Sequence, residues 1–239
     1  MSVSRLTEFA PLFAFFADFF LSFLSPFPRD RRSAAWKPAF VPSELERLTE
    51  AFISSLNGAS GAERRSYEEE YHALFSGLRF PSLELWESCY ISESGKDKRL
   101  LNRVTRGVAA LYREAGLGVD ADTDADKTVR QPPDHIGVEC AFFSWLCGGG
   151  PRYAELCRSF FTGHLRPFAE LFGIELESRT REAPYKILAR LLRKSAALAE
   201  NAIQDSIESG ASFAPLEKRE ERTQNLPAGL RFLTADEMR

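Results

Sequence analysis

The sequence predicts an all-α protein, a single-domain helical bundle, and two observations support this fold class. Apolar residues recur three and four positions apart along several stretches, as in Leu45, Leu48 and Phe52, which is the spacing of one buried helix face. No stretch alternates apolar and polar residues for long enough to be a β-strand. The 239 residues are 44% hydrophobic and 27% charged, which is typical of a globular domain with a sizeable core.

Residues 9–24 are the most apolar stretch of the chain and contain seven phenylalanines. The stretch is shorter than the roughly 20 residues of a membrane span and has Asp18 in its middle. Only Arg5 precedes it and no small-x-small cleavage site follows it, which argues against a signal peptide. We therefore expect a buried first helix, with Pro11 in its first turn, and no stable membrane insertion.

Helix start and stop signals divide the rest of the chain. Ser43-Glu44-Leu45-Glu46 matches a capping box, and Gly116 marks the end of a long helix. Four prolines fit first helical turns: Pro133, Pro151, Pro167 and Pro184. The expected helices cover residues 43–57, 62–80, 98–115, 133–147, 151–163, 167–172 and 184–208, with an irregular segment at 82–95.

Residues 1–209 are expected to form one helical domain, with a flexible linker near residues 117–131 and a loosely attached tail, 210–239, of unknown role. Four aspartates alternate along the linker, but no register supplies both the glycine and the final glutamate of a calcium loop. We therefore interpret it as a solvated linker. It is long enough for the last helices to exchange between two chains, so a monomer or a domain-swapped dimer is expected.

Composition and motifs argue against several classes of partner and site. A net charge of −3 and a pI near 5.8 do not suit a nucleic-acid partner, which requires a basic face. The four cysteines lack C-x-x-C spacing, so we expect reduced thiols rather than disulfides or a metal cluster. Gly-x-Ser-x-Gly and phosphate-cradling motifs are missing. We therefore expect no cofactor, no resident metal and no catalytic activity.

A candidate site begins at Pro132-Pro133-Asp134-His135, where a proline pair precedes an apolar, aromatic segment. Asp134 and His135 are thus expected at the rim of a buried helix that starts at Pro133. A carboxylate at this end of a helix is favoured by the helix dipole. Two ionisable groups beside an apolar body suggest a binding site.

These residues resemble the signature of the TorD/DmsD family, cytoplasmic chaperones for molybdenum-containing redox enzymes. Three further segments agree in order and rough spacing: Tyr71-His72-Ala73-Leu74-Phe75, Trp86-Glu87-Ser88-Cys89-Tyr90 and residues 160–168. The resemblance extends from about residue 12 to 207. It implies a TorD-like helical bundle in the cytoplasm that binds the twin-arginine signal peptide, or the body, of a molybdoenzyme precursor. Such a chaperone assists cofactor insertion and delays export. The sequence identifies neither the client nor a guanine-nucleotide motif.

The resemblance and the residue chemistry together suggest an apolar groove with a negatively charged rim. Apolar side chains would bury one face of an amphipathic peptide, and carboxylates would bind guanidinium groups in paired hydrogen bonds. The candidate signal-peptide-binding residues are Tyr71, Leu74, Phe75, Trp86, Glu87, Ser88, Tyr90, Pro133, Asp134 and His135.

Each of these residues also has a purely structural interpretation, and two other functions stay open. Asp134 would then be a helix cap, and the aromatic residues would belong to the core. A helical metal-dependent enzyme would use His135 and Glu139, four residues apart, with Asp134 or His164 completing the ligand set. The third alternative is a generic helical protein-interaction module.

Overall fold

The structure is a computed structural model and describes residues 5–21, 41–75, 83–91, 102–119, 131–149, 153–208 and 232–234. The α-helices are α1 (Ala10–Leu21), α2 (Ser43–Asn57), α3 (Gly61–Phe75), α4 (Arg103–Glu114), α5 (Ile136–Cys147), α6 (Ala154–Phe160), α7 (Arg166–Arg179) and α8 (Ala183–Glu208). Short 3₁₀ helices cover Arg5–Phe9 and Glu87–Cys89, and a π-helix covers Phe161–Leu165. Two strands, β1 (Leu117–Val119) and β2 (Phe232–Thr234), complete the elements. The prediction of an all-α bundle is confirmed.

Helix α1 lies at the centre of the bundle, which explains its apolar sequence. Phe13 packs edge-on against Phe143 of α5, with ring centroids 4.6 Å apart. On another side of α1, Phe19 contacts Phe52 of α2 at 5.8 Å. Asp18, which argued against a membrane span, lies on the exposed face of α1. None of the helices in the described ranges is long and apolar enough to cross a membrane.

The capping box predicted at Ser43 is wrong, and a capping box occurs seventeen residues later, at Ser60. Ser43 is already the first helical residue of α2 and its hydroxyl donates to the neighbouring Glu44. At the start of α3, the Glu63 carboxylate accepts from the Ser60 N–H at 2.8 Å, and the Glu63 N–H donates to Ser60 Oγ at 3.3 Å. This reciprocal pair satisfies two N–H groups at the start of a helix.

Several predicted helix boundaries also differ from the structure, among them the start of α4 at Arg103 rather than 98 and of α6 at Ala154 rather than 151. Gly163 does not end a helix, because α6 continues through the π-helix into α7 without a break, and Pro167 lies within that continuous segment. A π-turn widens the backbone by one residue and changes the direction in which its side chains point. The buried helix predicted from Pro133 begins three residues later, at Ile136.

Gly116 ends α4 with φ at +75°, as predicted for a helix stop. The next three residues form β1, which pairs antiparallel with β2 from the tail, Leu117 opposite Thr234. The sequence pattern did not predict this pairing, because three residues are too few to show an alternation. Residues 120–130, including the aspartates of the linker, lie outside the described residues, and the domain division at residue 209 stays a prediction.

Candidate functional site

Two segments far apart in sequence meet before the start of α5. Trp86 and His135 form an antiparallel β-bridge. The Glu87 N–H donates to the Asp134 carbonyl and the Ile136 N–H donates to the Leu85 carbonyl, both at 2.8 Å. Proline lacks an N–H and keeps the residue before it extended, so the backbone donors of this segment begin only at Asp134. The sequence thereby brings the segment 85–88 against the first turn of α5.

His135, rather than Asp134, caps α5. Its Nδ1 accepts a hydrogen bond from the Gly137 N–H at 3.0 Å. The Nε2 atom therefore holds the proton of the neutral ring. The ring is fully buried, and burial lowers the pKa of His135 to about 3. His135 is consequently a neutral group whose remaining donor, Nε2–H, has no acceptor among the described residues.

Asp134 links three elements of the bundle. Its Oδ2 accepts from the Ser88 N–H at 3.1 Å and from the Thr105 hydroxyl of α4 at 3.0 Å. The side chain is fully buried, and its Oδ1 has no hydrogen-bond partner among the described residues. The expectation that Asp134 lies at an exposed rim was wrong. It holds the 83–91 segment against α4 and the start of α5.

Glu87 is paired with His164, which lies in the π-helix. His164 Nδ1 is 3.0 Å and 3.1 Å from the two carboxylate oxygens of Glu87. The Glu87 side chain is 1% exposed and the His164 side chain 20% exposed. Burial raises the pKa of Glu87, and the hydrogen bond from His164 opposes that rise. Glu87, like Asp134, is therefore an interior carboxylate rather than a rim group, and it is adjacent to Asp134 as the groove hypothesis requires.

Glu139 is a third carboxyl group in the same cluster, one turn after His135. It is fully buried, and burial raises the pKa of Glu139 well above its usual range, with the neighbouring Glu87 and Asp134 charges acting in the same direction. Burial therefore favours the protonated, uncharged form of Glu139. The carboxyl groups of Glu87, Asp134 and Glu139 thus lie close together in the interior, and the His164 imidazole is paired with that of Glu87.

Aromatic side chains surround this polar cluster. The Trp86 ring lies 6.3 Å from the His135 ring, and Tyr90 packs on Phe168 of α7 at 5.4 Å. Trp86 and Tyr90 are half-buried, as is Pro133, whose carbonyl accepts from the Tyr112 hydroxyl at 2.8 Å. These half-buried residues form the solvent-facing side of the cluster.

Tyr71, Leu74 and Phe75 belong to the core rather than to an open groove wall. All three are buried, at 2%, 3% and 8% exposure. The Tyr71 hydroxyl donates to the carbonyl of Phe19 in α1 at 3.2 Å. Leu74 nevertheless connects to the site, because its carbonyl accepts from the Leu83 N–H at 3.2 Å. The contact of these buried side chains with a peptide stays a prediction.

The buried polar atoms that have no partner are concentrated in this region. Within the described residues, every buried side-chain N or O atom without a hydrogen bond belongs to residues 86–88 or 131–139. These atoms are Trp86 Nε1, Ser88 Oγ, Gln131 Oε1, Asp134 Oδ1, His135 Nε2 and both carboxyl oxygens of Glu139. Since buried polar groups are normally satisfied, such a concentration needs a functional or solvent explanation.

The structure brings seven of the ten predicted residues into one connected cluster: Trp86, Glu87, Ser88, Tyr90, Pro133, Asp134 and His135. The sequence analysis missed Thr105 and Tyr112, which carry no local signal. It named Glu139 and His164 only as possible metal ligands. In the part of the chain that the structure describes, no group of three or more His, Cys, Asp or Glu residues could hold a metal ion. The four cysteines are free, and three of them are buried.

One comparison with known proteins gives a match. A family model described as nitrate reductase delta subunit matches residues 39–173, which is more than half of the chain and includes the whole cluster. No curated protein and no solved structure matches the chain.

Proposed function

Because the chain belongs to the nitrate reductase delta subunit family, whose members are maturation chaperones for molybdoenzymes, we propose that it binds the twin-arginine signal peptide of a molybdoenzyme precursor. Binding takes place in the cytoplasm and includes the body of the precursor where that is accessible. The chaperone holds the precursor back from export until the cofactor is inserted. A nitrate-reductase-type catalytic subunit is the proposed client.

The observation that carries this proposal is the convergence of residues 85–88 and 132–137 on one polar cluster. The carboxyl groups of Glu87, Asp134 and Glu139 lie together in this cluster and provide the oxygen acceptors that a guanidinium group needs. Arginine binds carboxylates through two parallel hydrogen bonds, and such pairs are strong where water is excluded. The Trp86 indole N–H has no acceptor of its own among the described residues and can donate to a peptide carbonyl.

The apolar part of a signal peptide also has a surface to contact. Tyr90 is half-buried and packs on the Phe168 and Phe172 side of α7. On the same helix, Leu171 and Ile174 are 41% and 46% exposed. They are the large apolar side chains exposed in the described part of the chain. An apolar peptide segment that leaves the polar cluster beside Tyr90 would bury this strip of α7.

Titration calorimetry with the full chain and a synthetic twin-arginine peptide tests the proposal. Asp134→Asn keeps the shape of the side chain and removes its charge, so we expect at least tenfold weaker binding. Glu50→Gln, on the exposed face of α2, is the matched control and should bind like the wild type. Thermal melts verify that each variant is folded.

The same titrations separate the proposal from a generic interaction module. A peptide in which both arginines are replaced by lysine keeps the charge but loses the bidentate geometry, and we expect it to bind much more weakly. Equal binding of the two peptides, or unchanged affinity in folded Asp134→Asn, would contradict the proposed function.

A further inference from the structure

The contact between Glu87 and His164 has the features of an exchangeable contact. His164 Nδ1 approaches both oxygens of Glu87, at 3.0 Å and 3.1 Å, and this pair of oxygens is what a guanidinium group binds in its bidentate mode. The Glu87 side chain is almost fully buried, whereas His164 is one-fifth exposed. His164 therefore stands between Glu87 and solvent.

Unused acceptors lie behind this pair. Both carboxyl oxygens of Glu139 and the Oδ1 of Asp134 are buried and receive no hydrogen bond within the described residues. Glu139 interacts directly with Glu87. An imidazole facing Glu87 through Nδ1 offers one donor, while a guanidinium group offers five in a planar fork. The cluster thus has more acceptors than His164 can satisfy.

Taking the proposed function as its basis, we infer that an arginine of the client peptide replaces the His164 imidazole on Glu87. Glu139 then ionises and binds the same guanidinium group as a second carboxylate. The imidazole and the guanidinium group are both planar, so a guanidinium group can take the place of the imidazole against the two oxygens of Glu87. His164 is the placeholder that keeps Glu87 paired while the chaperone is empty.

The surroundings of His164 suit such an exchange. Its ring lies against Gly107 of α4, where an added Cβ would be 3.5 Å from His164 Cε1. A mid-helix glycine costs roughly 1 kcal/mol relative to alanine, and here it leaves space beside the imidazole. The π-helix also holds His164 on a widened turn, a feature that recurs at functional sites.

The exchange has a defined proton balance. In the empty protein Glu139 holds its proton, and the groups facing it are Glu87, Asp134, Tyr112 and Cys140. When a guanidinium cation arrives, the O–H bond of Glu139 breaks, its electron pair stays on the carboxylate, and the proton passes to the buffer. Glu139→Gln cannot release this proton. Any proton on His164 is kept or released alike in the wild type and the variant, so the wild type should release about one proton more than the variant on binding.

Calorimetry measures this difference in the number of protons released. The full chain is titrated with the twin-arginine peptide at pH 7 in buffers of different ionisation enthalpy. Glu50→Gln, the exposed-charge control, should release the same number of protons as the wild type. A second variant, His164→Ala, tests the exchange by the direction in which it changes the peptide affinity. Removing a competing partner from Glu87 should strengthen peptide binding several-fold, whereas a merely structural histidine would weaken binding when removed.

The outcomes distinguish this inference from the proposed function. If the wild-type protein does not bind the peptide, both are overturned. If the wild type binds but folded Glu139→Gln releases the same number of protons, the exchange is overturned and the proposed function stands. Weaker binding by folded His164→Ala also overturns the exchange. Should His164→Ala fail to fold, the proton count of Glu139→Gln still decides the question.

Discussion

Replacing Glu139 with glutamine should change how the stability of the protein depends on pH. Burial and the neighbouring carboxylates raise the pKa of Glu139 in the folded protein well above the 4.5 of an unperturbed glutamate. The folded state therefore binds this proton more tightly than the unfolded state does. The resulting stabilisation is fully present below about pH 4.5 and is lost as the pH rises through the folded-state pKa.

The magnitude follows from proton linkage. Over each pH unit in which Glu139 is protonated in the folded state and ionised in the unfolded state, the folding equilibrium constant falls about tenfold. Between pH 5 and pH 7 this amounts to roughly 3 kcal/mol at most. Glu139→Gln has no proton to bind, so the wild type should lose stability relative to the variant by up to this amount.

Urea denaturation of both proteins at pH 5, 6 and 7 measures the difference directly. Other titrating groups are common to the two proteins, so their contributions largely cancel in the comparison. Glu50→Gln, a charge loss at an exposed site, controls for the effect of net charge. A difference between wild type and Glu139→Gln that stays constant across this range would refute the assignment of a neutral, interior Glu139.

Two further predictions concern glycine and serine positions, each with a matched control. Gly137→Ala places a Cβ 2.7 Å from the Cγ of a leucine in α1. Urea denaturation should therefore show that the free energy of unfolding falls by about 1–3 kcal/mol from overpacking. Gly61→Ala, where nothing lies within 4 Å of the added Cβ, should not show such a loss. Ser60→Ala removes a capping side chain and should lower the free energy of unfolding by about 1 kcal/mol, whereas Ser43→Ala removes no cap and should be near neutral. Equal losses in the two members of either pair would contradict the corresponding structural explanation.

Helix periodicity gave the fold because each apolar stripe is a local property of the sequence. The buried positions Leu45, Phe52 and Leu56 of α2 follow directly from their spacing. Boundaries were less predictable. A proline pair permits a helix start, yet the bridge between Trp86 and His135 holds Asp134 extended and delays α5 to Ile136. That bridge is a long-range contact and leaves no local signal.

The sequence predicted which residues form the site but not that their side chains are buried. An ionisable residue beside an apolar segment is normally exposed, which is why Asp134 and Glu87 were expected at a rim. The structure buries both, since backbone N–H groups, Thr105 and His164 supply their partners. His164 could not be assigned to Glu87 beforehand, because the π-helix changes the direction of its side chain.

Hydrogen exchange of the full chain, with and without the twin-arginine peptide, tests the central claim most directly. The N–H groups of Glu87, Ser88 and Ile136 form the hydrogen bonds that join the two segments of the site. We predict that the peptide slows exchange at these three positions and leaves α2 unchanged. A saturating peptide that alters exchange only outside residues 83–91 and 131–139 would contradict the account.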